Sequence, residues 1–82
     1  MKTITNAERP HYIINKEEFK TGSSNGVFEG KDYAVYSYDT LIYKVDKDGK
    51  IVYWDGGKYS RTTTLLQNQI KLAASTLRIR IG

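Results

Sequence analysis

Tyr33-Ala34-Val35-Tyr36-Ser37-Tyr38-Asp39-Thr40-Leu41-Ile42-Tyr43-Lys44-Val45-Asp46-Lys47-Asp48-Gly49-Lys50-Ile51-Val52-Tyr53-Trp54 is the stretch that decides the fold. Three runs rich in tyrosine, valine and isoleucine, residue types that suit a pleated surface, are separated by short polar turns. In the first run Tyr33, Val35 and Ser37 fall on one face of a strand, and Ala34, Tyr36 and Tyr38 on the other. Asp39-Thr40 bends the chain into Leu41–Val45. Asp46-Lys47-Asp48-Gly49 then returns it antiparallel as Lys50–Trp54, with Gly49 supplying the left-handed position of a short hairpin loop. An antiparallel meander follows from this stretch alone.

Downstream of Trp54 the period changes. Asp55-Gly56-Gly57 turns the chain, Ser60 or Thr62 offers an N-cap hydroxyl, and a helix is predicted from about Arg61 to Ser75. Leu66, Ile70, Ala73 and Leu77 recur at spacings of four, three and four, flanked by Leu65 and Leu72, and form one stripe for packing on a sheet. Thr64, Gln67, Asn68, Lys71 and Ser75 gather on the opposite, polar and basic face. Leu77-Arg78-Ile79-Arg80-Ile81 alternates strictly and reads as a final strand, with continued helix as the competing reading. Upstream, Val27–Glu29 reads as a strand ahead of a Gly30-Lys31-Asp32 turn, and Thr21–Gly26 as a loop by composition. Asn15–Lys20 reads as a helical turn with Asn15 as its N-cap, His11–Ile14 as a short strand, and the stretch through Pro10 as a flexible arm that orders only on pairing. The prediction is an α+β fold in one domain over residues 1–82, with 1–10 as the arm. In it a small antiparallel sheet, a meander of three to five strands, packs against one C-terminal amphipathic helix.

Eighty-two residues, 39% of them apolar, suffice for one core and leave little for a deep substrate pocket. The net charge of +4 is unevenly placed. Residues 1 to 57 carry eight basic and nine acidic side chains, whereas Lys58, Arg61, Lys71, Arg78 and Arg80 in the last third meet no acid. Such a third attracts phosphate, nucleic acid or an acidic protein face. With no cysteine, disulfide frameworks, thiolate metal sites and cysteine nucleophiles are excluded. No run has the length of a signal peptide or a membrane span, so the expectation is a cytoplasmic protein with no membrane partner.

No constellation for catalysis or for a cofactor emerges. Gly56-Gly57-Lys58-Tyr59-Ser60 lies between a strand and a helix, where backbone amides hold anions. A phosphate-binding Walker loop, however, needs glycine where Val52 stands and a hydroxyl residue where Tyr59 follows the lysine. Asp46-Lys47-Asp48-Gly49 begins like a calcium loop but has Gly57 at its twelfth position. His11 is the only histidine, and Glu17-Glu18 point to different sides of a helix, so no metal site or acid-base pair is expected. The tyrosines either pack the sheet or present rings for stacking.

Tyr33-Ala34-Val35-Tyr36-Ser37-Tyr38-Asp39-Thr40-Leu41-Ile42, Trp54, and Lys58-Tyr59-Ser60-Arg61-Thr62-Thr63, with Gln67 in the following helix, resemble a family of small uncharacterised phage and prophage proteins. Those proteins carry a Y-x-V-x-S-Y-x-T-x-I strand pair and a K-Y-S-x-T-T helix start. The resemblance covers about residues 31 to 70. After the threonine pair this chain has Thr64, Leu65 and Leu66 where the family often has serine, a basic residue and histidine, so no histidine role carries over. The resemblance implies phage context and an α+β fold, and no reaction.

The expectation is a non-enzymatic phage-type binding module inside the host cell, in its most specific form an anti-CRISPR-like inhibitor of a host defence nuclease that acts by binding a host protein or protein–nucleic acid complex. Its candidate binding residues are Lys58, Arg61, Lys71, Arg78, Arg80, Tyr36, Tyr38 and Gln67. The first alternative is direct nucleic-acid binding by the basic third. The second is a phage structural or assembly protein, for which a homo-oligomer is expected.

Overall fold

The computed structural model describes residues 2–76. The expected last strand over 77–81, together with Leu77, Arg78 and Arg80, lies outside the described residues. In chain order the elements are β1 (Lys2–Thr3), a 3-10 turn (Asn6–Glu8), α1 (Arg9–Ile14), β2 (Phe19–Lys20), β3 (Ser24–Glu29), β4 (Asp32–Ser37), β5 (Thr40–Val45), β6 (Ile51–Trp54) and α2 (Arg61–Thr76). The strands form one six-stranded sheet in the order of the chain. β1 and β2 run parallel, joined through α1, and all later neighbours are antiparallel. The architecture is α+β as read from the sequence, with one strand more than the expected range and a second helix.

The meander follows its alternation. Tyr33, Val35 and Ser37 are buried on the helix side, while Tyr36 is half-buried on the open face. A register shift between Val35 and Tyr36 in the β4–β5 pair lets the consecutive residues Ile42 and Tyr43 both be buried. α2 lays Leu66, Ile70 and Ala73 into a core shared with Ile4, Ile13, Phe19, Tyr33, Val35, Ile42, Tyr43 and Val45. Its flanks Leu65 and Leu72 stay exposed. Ser60 is the N-cap, because its carbonyl accepts the first helical bond from Thr64 N at 3.0 Å.

The N-terminal third departs from the reading in four places. The stretch before Pro10 does pair, with Lys2 and Thr3 beside Phe19 and Lys20 and with Ile4 N donating to Lys20 O at 2.8 Å. His11–Ile14 is helix, because Pro10 sits in the first turn, where a missing N–H costs nothing. Asn15 closes this helix instead of opening one: its N and Nδ2 donate to His11 O at 3.1 and 3.0 Å, and Phe19–Lys20 beyond it is strand. Ser24–Gly26, expected as loop, begins β3. Gly26 is required there, since a Cβ on it would lie 2.5 Å from both the Phe19 ring and the Tyr33 hydroxyl.

Candidate binding site at the start of α2

Two stretches twenty residues apart in the sequence meet at one end of the sheet. The β4–β5 turn, Ser37-Tyr38-Asp39-Thr40, packs beside the start of α2, Tyr59-Ser60-Arg61-Thr62-Thr63. Between them Ser37, Tyr38, Thr40, Tyr59, Ser60 and Thr63 line a cleft of about 270 Å³. The wall is fixed by a buried hydrogen bond of 2.7 Å between the Ser37 and Thr63 hydroxyls, which binds the sheet to the helix. The fold makes these two stretches one surface.

Tyr38 is held with φ at 53°, in the left-handed region that disfavours a bulky side chain. Its amide donates to Ser23 O at 2.8 Å, which pins the backbone. The ring gains little from the fold, because the residue is 62% exposed. Tyr59 is also exposed on the opposite rim, and its hydroxyl donates to Asp55 Oδ2 at 2.5 Å. That bond holds the Asp55 carboxyl below its ordinary value, helped by Gly57 N at 2.9 Å, and raises the Tyr59 phenol.

The loop from Asp55 to Ser60 is tied down from within. Gln67 Nε2 donates to Asp55 O at 2.8 Å and to Gly57 O at 2.9 Å, and the side chain is buried. The helical wheel put Gln67 on the exposed face, and the structure corrects this: Gln67 lies next to Leu66 on the core stripe, four residues from buried Thr63 and seven from buried Ala74. The Gly57 amide, a candidate anion donor in the sequence, already serves Asp55.

The other expected site residues separate into groups. Lys58 and Arg61 are exposed and flank the cleft-lining Tyr59 and Ser60 in sequence, though neither lines the cleft itself. Lys71 is exposed ten residues further along α2, about 15 Å away at the helical rise per residue. Tyr36 is on the open sheet face, its hydroxyl donating to Glu29 at 2.6 Å, with Lys44 bridging Glu29 at 3.2 Å and Asp32 at 3.9 Å. This bonding lowers the Glu29 carboxyl and raises the Tyr36 phenol. The basic third is therefore not one patch among the described residues. Tyr33 and Tyr43 are core, and burial pushes the Tyr43 phenol up to about 12.

One residue that the sequence reading missed is Arg9, which is completely buried. Its Nε donates to Gln69 Oε1 at 2.7 Å and its Nη1 to Ser24 Oγ at 2.9 Å. Gln69 in turn donates to Asn6 O at 2.9 Å, which links α2 to the 3-10 turn. No carboxylate pairs with Arg9 among the described residues, and its Nη2 has no partner there. Nothing local in the sequence marks this arginine, since its partners are fifteen and sixty residues away.

Among the described residues no group of three or more histidines and carboxylates is placed to hold a metal ion, and no helix is long and apolar enough to cross a membrane. Compared with the models of known protein families, with curated proteins and with solved structures, the chain has no significant match.

Proposed function

We propose that this chain is a non-enzymatic, phage-type binding module that blocks a host factor, in its most specific form an anti-CRISPR-like inhibitor of a host defence nuclease. The observation that carries the reading is Tyr38. A bulky ring on a left-handed residue costs of order 1 kcal/mol, and a ring left 62% exposed recovers little of that cost by packing. An exposed tyrosine on a pinned backbone, across a cleft from a second exposed tyrosine that has an exposed lysine and arginine as near neighbours in sequence, has the composition of an interface centre. The cleft between Tyr38 and Tyr59 supplies the concave element, and Lys58 and Arg61 supply the charge.

Direct nucleic-acid binding is the competing reading. Two features count against it: Lys71 is displaced from Lys58 and Arg61, and Asp39 and Asp55 stand at the same end of the molecule. Inhibition of target-DNA cleavage by purified RNA-guided nucleases tests the proposal. Stoichiometric inhibition, lost with Tyr38→Ala plus Arg61→Glu and kept with Lys71→Glu, supports it; absence of binding and inhibition across such nucleases contradicts it. Affinity for DNA or RNA alone that falls steeply with salt would establish the nucleic-acid reading in its place. A defined homo-oligomer in sedimentation, without either activity, would favour an assembly role.

A further inference from the structure

α2 carries its charge in the opposite sense to the one that would steady it. A helix N-terminus is positive and favours acids, yet the first turn of α2 holds Arg61 and no acid. No Asp or Glu occurs in any of its 16 residues, and its last turn has no basic residue. The ion pairs among the described residues include neither Arg61 nor Lys71. These two charges return nothing to the fold. An apolar ridge runs beside them. Arg61, Leu65, Asn68 and Leu72 follow at spacings of four, three and four, so they share one stripe of the helix, and all four are exposed. Leu65 is 45% and Leu72 62% exposed, about 10 Å apart along the helix. Their spacing is one heptad with polar Asn68 between, the pattern of a helix–helix seam. Gln69, four residues from Leu65 and three from Leu72, bonds to Arg9 and Asn6, so the ridge borders the place where α1 lies against α2.

We propose that this face of α2 docks an amphipathic helix of a partner protein, with leucine-type residues on its contact stripe and aspartate or glutamate along the flank that meets Arg61 and Lys71. The charge selects this occupant over a second copy of the chain, since α2 against α2 would oppose Arg61 and Lys71 of both copies with no acid on either helix. The leucines select it over nucleic acid, whose phosphates are met by polar and charged groups and gain nothing from an apolar ridge. Burial of Leu65 and Leu72 supplies the attraction, and the acids fix the orientation. The face is separate from the cleft between Tyr38 and Tyr59. Lys71→Glu, which should leave the proposed nuclease inhibition intact, should weaken this docking, so the two readings fail independently.

The test is an NMR titration of the full chain with a synthetic peptide of about three heptads that carries leucine on its contact stripe and glutamate on its flanks. The same peptide with lysine in place of glutamate, a scrambled glutamate peptide and a DNA oligonucleotide run in parallel. The glutamate peptide is expected to give saturable shifts at the amides of residues 61–72, with the lysine and scrambled peptides at least about tenfold weaker. Leu65→Ala with Leu72→Ala, both at exposed positions that leave the core intact, should weaken binding at least about tenfold. Lys71→Glu should weaken it about fivefold. Equal binding of the glutamate and lysine peptides, unchanged affinity in the folded leucine variant, or stronger shifts of the same amides by DNA overturns the proposal. So does a dimer in sedimentation that the leucine variant abolishes, since a second copy would then be the occupant.

Discussion

Among the described residues two other than glycine, Lys16 after α1 and Tyr38 between β4 and β5, adopt the left-handed conformation, with φ of 52° and 53°. Their backbones carry the same strain, but their side chains are used differently. Lys16 follows the C-cap of a helix, where a left-handed residue closes the last turn; its amide donates to Ile13 O at 3.3 Å and its Nζ to Asp46 O at 3.3 Å. The strain there is offset by contacts within the fold. Tyr38 has an anchored amide and an exposed ring. Strain without a return in packing points to a residue kept for what it meets outside the molecule.

The comparison can be broken or sharpened by substitution. The largest stability effect is expected at Gly26, where the backbone is unstrained and space alone forbids a side chain: Gly26→Ala must displace both the Phe19 ring and the Tyr33 hydroxyl, and chemical denaturation should show a loss of about 1–3 kcal/mol. Gln67→Leu removes both bonds to the Asp55–Gly57 carbonyls and frees the loop that carries Tyr59; a loss of about 1–2 kcal/mol is expected, with the Tyr38 turn undisturbed in amide spectra. Lys16→Gly should lie within about 0.5 kcal/mol of the parent, since relief of strain is balanced by the lost Nζ bond and by the larger entropy of the unfolded glycine. A larger loss would mean that Lys16 contributes more to the fold than its two bonds show.

The smallest effect is one of pH. The Asp55 carboxyl is held below its ordinary value by Tyr59 and Gly57, so its contribution is present above the unfolded pKa and is lost as pH falls through the lower folded value. Melting temperatures measured from neutral to below pH 4 should fall less for Asp55→Asn than for the parent, the two curves converging at the acid end. Parallel curves would contradict the bonding described for that loop.

The meander and α2 were legible because their apolar residues repeat with periods of two and 3.6 over runs long enough to count. The N-terminal third was not. A helix of six residues and strands of two give no period, and Pro10 reads as a breaker unless its place in the first turn is known. Thr21–Gly26 has loop composition, yet Gly26 is there because two aromatic groups lie over it. At the site, Tyr38, Lys58 and Arg61 were singled out from composition and charge. The buried roles of Gln67 and Arg9 depend on partners that only the folded chain brings near.

Replacing Tyr38 by glycine tests the central claim most directly, because it separates folding from function. Glycine adopts the left-handed turn without strain, so Tyr38→Gly should be at least as stable as the parent, by up to about 1 kcal/mol. The same variant should lose the proposed inhibition of a host defence nuclease. Inhibition retained at full strength, or a clear drop in stability showing that the ring supports the fold, would contradict the account.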